Sequence, residues 1–380
     1  MSSRLPVFPW DSLAPAKAIA AKHPGGIVDL SIGTPVDPVP EVIRNALTAA
    51  SNSPGYPQTK GTNELQAAAA AWLARRHGVE VNPDAILPSI GSKELIAWLP
   101  TLLGCGPGDA VCFPELAYPT YDIGARMAGA TSVPTDEPEK IFQGERFAVR
   151  AASDAQVPQA SLVWVNSPSN PTGRITPPHR LSELAAWARQ SGVVLASDEC
   201  YIDLAYGTKP VSILHPQVSG GSHDGLLAVY SLSKRSNLAG YRAGFVTGDP
   251  NLVAELLEAR KHAGMIVPAP VQAAMTAALV DDGHAQEQHA RYTRRRDQLR
   301  PALERAGFLI SGSQAGLYLW ASHPDHSDCW ESVSTLAELG ILVSPGAFYG
   351  TAGTRHVRVA LTATDERISA ATARLAELAA

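Results

Sequence analysis

The sequence of 380 residues has only four cysteines, Cys105, Cys112, Cys200 and Cys329, and none stands at a CxxC or other metal-ligating spacing. That scarcity excludes a disulfide framework and a thiolate metal centre, and fits buried free thiols in a reducing cytoplasm. There is no strong charge excess. A net charge of −5 offers no electrostatic footprint for nucleic acid or an anionic membrane. No apolar run is long enough to span a bilayer, and the best stretch, ELIAWLPTLLG, is short and interrupted by Pro100. The opening, MSSRLPVFPWDSL, lacks the basic segment and apolar core of a signal peptide. Repeats, low-complexity tracts and long linkers are also missing. What remains is an ordinary globular composition, 45% hydrophobic and 18% charged, on a chain too long for one simple core. Packing into more than one unit is therefore expected.

Residues 1–45 read as an arm punctuated by Pro6, Pro9, Pro15, Pro35, Pro38 and Pro40. A helix is expected from Asn63 to His77, capped by Asn63 with Gln66 reaching back. Arg75, Arg76 and His77 suit its C-terminal dipole, and Gly78 ends it. Between about 85 and 250, the apolar runs SLVWV, GVVLASD, LLAVYSLS and AGFVTG read as buried strands, with LSELAAWARQ as a helix between two of them. That alternation predicts a large α/β domain over 46–283, with a mainly parallel sheet flanked by helices. After about 284 the texture changes. HAQEQHARYTRRRDQLRPALERAG is a long charged helix with Pro301 as a candidate kink, and LYLWAS, SVSTLAELG and HVRVALT follow as strand, helix and strand. This predicts a smaller α+β domain over 284–380, to which the arm contributes.

The stretch SLSKRSNLAGYRAGF, 231–245, sets Lys234 among serines and Arg242 between Tyr241 and Ala243. A lysine amine attacks carbonyls once its surroundings lower its pKa. Ser231, Ser233 and Arg242 offer hydroxyl donors and a planar charged fork, which suit a phosphate. Pyridoxal 5′-phosphate, an aldehyde with a phosphate tail, satisfies both halves. Lys234 alone would read as a surface charge, so other stretches must carry the argument. VNSPSNPTG puts Asn170 at the C-terminal edge of a strand, where open α/β sheets bind ligands. VVLASDECY puts Asp198 at the end of another strand, where a carboxylate needs a cation such as a protonated pyridine nitrogen. Standing alone, Asp198 would read as a helix cap. ILPSIGSKELIAW is strand, glycine, then helix, so the amides of Ser92 and Lys93 form a phosphate cradle.

In chain order, GSKE, PELAYPTY, NSPSNPTG, SDECY, SLSK, GYRAGF, SPGAFYG and HVRVALT resemble the fold type I, class I/II aminotransferases that use pyridoxal 5′-phosphate. The resemblance runs from SIGTP at 31–35 to the C-terminus. It implies that Lys234 binds the cofactor aldehyde and later shuttles a proton between Cα and C4′. Asp198 would pair with the pyridine nitrogen, Asn170 and Tyr201 with the phenolic oxygen, and Tyr118 would stack on the ring. Ser92, Lys93 (by backbone), Ser231, Ser233 and Arg242 fall on phosphate positions. Tyr56 matches a tyrosine that reaches the phosphate across a dimer interface, which implies a homodimer. Arg358 matches the arginine that grips the substrate α-carboxylate, with Gly33 beside it; its plainer reading is a strand-edge surface arginine.

More narrowly, RLPVFPWDSLAPAK, VDLSIGTPVDPVP, KHAGMIVPAPVQAAM and HVRVALTATDERI resemble actinobacterial N-succinyldiaminopimelate aminotransferases. That implies transfer from L-glutamate to N-succinyl-2-amino-6-oxopimelate, giving N-succinyl-LL-2,6-diaminopimelate and 2-oxoglutarate. Such a substrate carries several carboxylates, for which Lys60, Lys93, Arg235, Lys261 and His262 are candidate cations, although each such residue is as a rule a solvated surface charge. Rival expectations are an aminotransferase of aspartate or aromatic specificity, a C–S β-lyase, and a non-catalytic cofactor-binding regulator. The regulator reading lacks room for a helix-turn-helix before SIGTP and lacks a basic patch.

Overall fold

A computed structural model describes residues 5–141 and 159–378; residues 1–4 of the expected arm lie outside it. In chain order the strands are β1 (Val28–Asp29), β2 (Ile86–Ile90), β3 (Asp109–Phe113), β4 (Thr131–Pro134), β5 (Gln159–Asn166), β6 (Val194–Asp198), β7 (Leu226–Ser231) and β8 (Ala243–Gly248). They continue with β9 (Leu309–Ser311), β10 (Tyr318–Ser322), β11 (Ile341–Leu342), β12 (Ser344–Pro345) and β13 (His356–Ala360). The large sheet has seven strands in the order β2-β8-β7-β6-β5-β3-β4. Its pairs from β7 through β4 are parallel, while β8 runs antiparallel to both β7 and β2. The runs LLAVYS and AGFVTG are buried along their whole length, as strands covered on both faces must be. Expected LLAVYSLS stops at Ser231, and Leu232 and Ser233 leave the sheet as a turn.

Helices cover both sheet faces. Helix Asn63–His77 forms where expected, with Gly78 in the left-handed region at its end (φ 65°). Its cap differs from the expectation: Thr62, not Asn63, accepts from the Leu65 N–H. Gln66 does not reach back either. Its amide donates to Ile86 O at 3.0 Å, and the Thr62 N–H goes instead to Gln272 Oε1 at 2.9 Å. A buried polar side chain with a strand carbonyl in reach satisfies that carbonyl before it closes a local box.

The second unit is the four-stranded antiparallel sheet β12-β13-β10-β9 with helices Gly283–Arg305, Cys329–Glu338 and Asp365–Leu375. Pro301 lies inside the long helix without ending it. The N-terminal segment joins this unit: β1 pairs in parallel with β11, and Ala360 N–H donates to Leu30 O. Leu13, Val28 and Leu30 share one core with Leu317, Leu319, Val357 and Val359. From Glu41 onward the chain packs on the large sheet, with Ile43 in its core. The result is an α/β architecture with a mixed central sheet and a smaller α+β domain, and the strap Leu30–Pro40 runs between them.

Candidate active site

The site forms at the edge where β2, β5, β6 and β7 end together. β2 stops at Ile90, and Gly91 (φ 74°) turns the chain into helix Ser92–Leu102. A Cβ on Gly91 would stand 2.3 Å from Arg242 Nη2, so glycine lets the guanidinium reach this helix start. Arg242 sits at φ 58° and donates from Nη1 to Ala239 O at 2.7 Å. It forms no ion pair among the described residues. Ser231 ends β7, and its hydroxyl accepts from the Ser233 N–H at 3.2 Å. The first-turn amides of Ser92 and Lys93 have no intrahelical acceptor. Together these groups form a half-buried anion cradle.

Asp198 ends β6 beside Asn166 of β5 and is 5% exposed. Its Oδ2 accepts from Tyr121 OH at 2.7 Å, and Oδ1 from Cys200 N–H at 3.1 Å. No cationic side chain pairs with it among the described residues. Burial pushes its carboxyl pKa up, against the hydrogen bonds from Cys200 and Tyr121. A carboxylate so placed calls for a cation brought from outside the chain. It is not the helix cap that it could have been, since it caps only the turn at Cys200.

Between the cradle and Asp198 lies Lys234. Its ammonium makes a short hydrogen bond to Gly33 O on the strap. Burial pulls its pKa below the ordinary lysine value, with Tyr318 and Cys200 acting in the opposite sense. Gly33 is buried, and a Cβ there would fall 2.0 Å from the Tyr318 hydroxyl. Tyr201 OH lies 3.2 Å from Tyr318 OH, with the rings edge-on at 5.9 Å. Tyr118 is half-buried at the start of the next helix, edge-on to Tyr121 at 6.2 Å, and burial raises its phenol pKa.

Arg358 is 3% exposed, which excludes the strand-edge surface reading. It donates to Asn170 Oδ1 at 2.9 Å and to Ser31 O at 2.8 Å, and its Nε has no partner. Its guanidinium lies over the rings of Tyr318 (3.9 Å) and Tyr349 (4.8 Å), and no carboxylate pairs with it among the described residues. Asn170 is anchored through its N–H to Asn166 Oδ1 at 2.7 Å. Lys234, Gly33, Tyr201, Asn170, Asp198 and Arg358 thus meet in one place, with Tyr118 at its margin.

Tyr56 does not join them. It is 99% exposed and stands clear of its own chain's cradle. The candidate distal cations also fall away from the group. Arg235 is buried in an ion pair with Asp203 (2.6 Å) and donates to Ala278 O, because the chain turns it inward directly after Lys234. Lys261 pairs with Glu258 on the surface, Lys60 reaches Asn63, and the Lys93 and His262 side chains are exposed. Conversely, the residue-level reading passed over Ser31, Tyr121, Tyr318 and Tyr349. Tyr121 carried a signal, since in YPTY it follows Tyr118 at one helical turn. Tyr318 and Tyr349 look like core aromatics in sequence, and only the pairing of β10 with β13 and the fold of the adjoining turn within the small domain bring them to Arg358.

The arrangement fits pyridoxal 5′-phosphate on its own chemistry: an amine of lowered pKa, a buried acid without a cation and an anion cradle whose arginine has no carboxylate partner, both among the described residues. Comparison with known proteins agrees. The family described as "Aminotransferase class I and II" matches residues 26–375. A 4-dedimethylamino-4-oxo-anhydrotetracycline transaminase of Streptomyces rimosus is 57% identical over 98% of this chain and 99% of that one. A probable aminotransferase of Mycobacterium tuberculosis is 57% identical over 99% of this chain and 86% of its own length. Among solved structures, a probable N-succinyldiaminopimelate aminotransferase of Thermus thermophilus superposes with a TM-score of 0.83 at 30% identity, covering 98% of this chain and 100% of that one.

Proposed function

The chain belongs to the class I and II aminotransferases and is a pyridoxal 5′-phosphate-dependent enzyme, and from that premise we propose that it moves an amino group from L-glutamate to N-succinyl-2-amino-6-oxopimelate. The observation that carries a keto-acid substrate is Arg358, a buried guanidinium without any carboxylate partner among the described residues. An α-carboxylate would supply that partner. The choice of acceptor draws on the sequence resemblance and on the description of the Thermus structure. A second reading has its own support. The Streptomyces relative, at 57% identity, is described as acting on a 4-oxo-anhydrotetracycline, so a bulky cyclic ketone is the competing acceptor.

When bound, the cofactor supplies a carbonyl carbon that takes the amino nitrogen and a ring that withdraws electrons from the substrate Cα. The chain's residues do the rest. The lowered pKa of Lys234 keeps more of its amine as free base near neutrality, ready to take the proton from the substrate Cα and to return it. Asp198 would hold the pyridine N–H, with Tyr121 keeping its second oxygen oriented. Tyr201 and Asn170 would face the phenolic oxygen, and Tyr118 would lie against the ring. Ser231, Ser233, Arg242 and the amides of Ser92 and Lys93 would hold the phosphate. Gly33 leaves room beside Lys234, and Arg358 would orient the substrate so that its Cα–H faces that amine. Tyr56, exposed on its own chain, would complete the cradle of a second subunit, so we read the active unit as a homodimer.

The direct test is an absorption spectrum of the purified protein before and after L-glutamate, followed by an acceptor screen. A visible band that converts to the pyridoxamine form, then back with N-succinyl-2-amino-6-oxopimelate, supports the reading. Reversal only with cyclic ketones favours the second. A visible band that ignores glutamate rejects glutamate as donor, and release of pyruvate and ammonia from a cysteine thioether over many turnovers without an acceptor identifies a lyase.

A further inference from the structure

We propose that Tyr318 is a positioning residue for Tyr201: it donates its proton to the Tyr201 oxygen, leaving the single O–H of Tyr201 to point into the cofactor site. The inference rests on the reading that Tyr201 faces the phenolic oxygen of the cofactor, and it adds a member that the motifs do not contain. A phenol has one hydrogen to give. The two hydroxyls lie 3.2 Å apart, so one of them donates to the other. If Tyr201 gave its proton to Tyr318, it would have none for the cofactor, and only the opposite direction serves both contacts.

Three contacts fix Tyr318 for that role. Its ring stacks under the Arg358 guanidinium at 3.9 Å. It meets the Tyr201 ring edge-on at 73°. Its hydroxyl occupies the space that a side chain at position 33 would fill, which explains why Gly33 is a glycine. The charged and titratable groups acting on it are Arg358, Lys234, Tyr201, Tyr349, Tyr118 and Tyr292. Burial raises the Tyr318 phenol, but Arg358, Lys234 and the bond with Tyr201 outweigh it and bring it below the ordinary tyrosine value. Burial, then the neighbouring Tyr318, pushes Tyr201 well above that value. The lowering by the bond with Tyr201 belongs to a Tyr318 phenolate that accepts; between the two neutral hydroxyls the separation admits either donor, and the direction follows from the proton that Tyr201 keeps for the cofactor. Accepting a hydrogen bond polarises the Tyr201 O–H and strengthens what it donates onward.

The readout is the pH midpoint of the visible cofactor band in the loaded enzyme, measured for wild type, Tyr201→Phe, Tyr318→Phe and the double variant. A donor to the phenolic oxygen favours its anionic form, so losing or weakening that donor raises the midpoint. Tyr318→Phe keeps the ring over Arg358 and should raise the midpoint by about half a unit to one unit. Tyr201→Phe should raise it further, and the double variant should match Tyr201→Phe alone. Gly33→Ala, which displaces the Tyr318 hydroxyl, should move the midpoint in the same direction as Tyr318→Phe and serves if that variant does not fold. An unchanged midpoint in Tyr318→Phe, beside a shifted one in Tyr201→Phe, overturns the relay and leaves the role of Tyr201 standing. Fully additive shifts in the double variant also overturn it. No shift in Tyr201→Phe overturns the underlying reading of Tyr201.

Discussion

Asp198 accepts hydrogen bonds from Tyr121 and Cys200, yet no cationic side chain among the described residues balances its charge. Without cofactor, that charge destabilises the fold. Its folded-state pKa is raised, so the native state holds more protons than the unfolded state in the window above the ordinary carboxylate value. Stability of the cofactor-free protein therefore falls as pH rises through that window. Asp198→Asn should stabilise the cofactor-free protein at neutral pH, by on the order of 1–3 kcal/mol, while weakening cofactor binding. Denaturant titrations with and without cofactor check both halves, and the stability difference should shrink on acidification. Arg358 makes the complementary case. It binds through fixed N–H directions between two aromatic rings, a geometry that an ammonium cannot copy. Arg358→Lys should lower kcat/KM for α-keto acids by roughly 10- to 100-fold, with the visible spectrum of the loaded enzyme unchanged.

The turn from β2 into helix Ser92–Leu102 depends on Gly91, which is left-handed and lies against Arg242. Gly91→Ala adds backbone strain of about 1–2 kcal/mol and pushes the guanidinium away from the helix start. A cofactor affinity weaker by about tenfold should follow, measurable by equilibrium dialysis. Behind the site, Asp203 ties two segments together. It pairs with Arg235, directly after Lys234, and with His77 at the end of helix Asn63–His77. Its carboxyl is held far below the usual range because His77 and Arg235 outweigh the effect of burial. Asp203→Asn leaves the buried Arg235 with only a long contact to Asp282 at 3.9 Å, which should cost about 2–4 kcal/mol of stability in urea unfolding.

At the scale of the molecule, the strap through Ser31 and Gly33 crosses from the small domain to the large one. It gives one carbonyl to Arg358 and another to Lys234. If Arg358 grips the substrate and Lys234 moves the proton, as proposed, both depend on how the two domains sit together. On the proposed reading, Tyr56 would extend the dependence to a second chain. Hybrid dimers of a Lys234→Ala chain with a Tyr56→Phe chain test this. If Tyr56 serves the partner's cradle, one site of the hybrid combines an intact Lys234 with an intact Tyr56. Activity should then exceed that of either variant alone; no recovery on mixing would place Tyr56 outside the partner's site.

The sequence by itself determined the alternation of strands and helices, the change of texture near 284 and the residues that cluster at strand ends. These are local matters: apolar runs that must be covered, a glycine before a helix, an aspartate costly to bury. It also carried Lys234, Asp198, Asn170 and Arg242, because each lies within a few residues of the strand end that presents it. Tertiary structure alone decided the antiparallel course of β8, the turning of Gln66 to Ile86 O and the inward turn of Arg235. It alone brought Tyr318 of β10 to Tyr201 and Arg358, and Ser31 to Arg358. Those contacts join residues far apart in the chain, and their partners are chosen by strand pairing, by domain packing and by the need to satisfy buried polar groups, which no local pattern records.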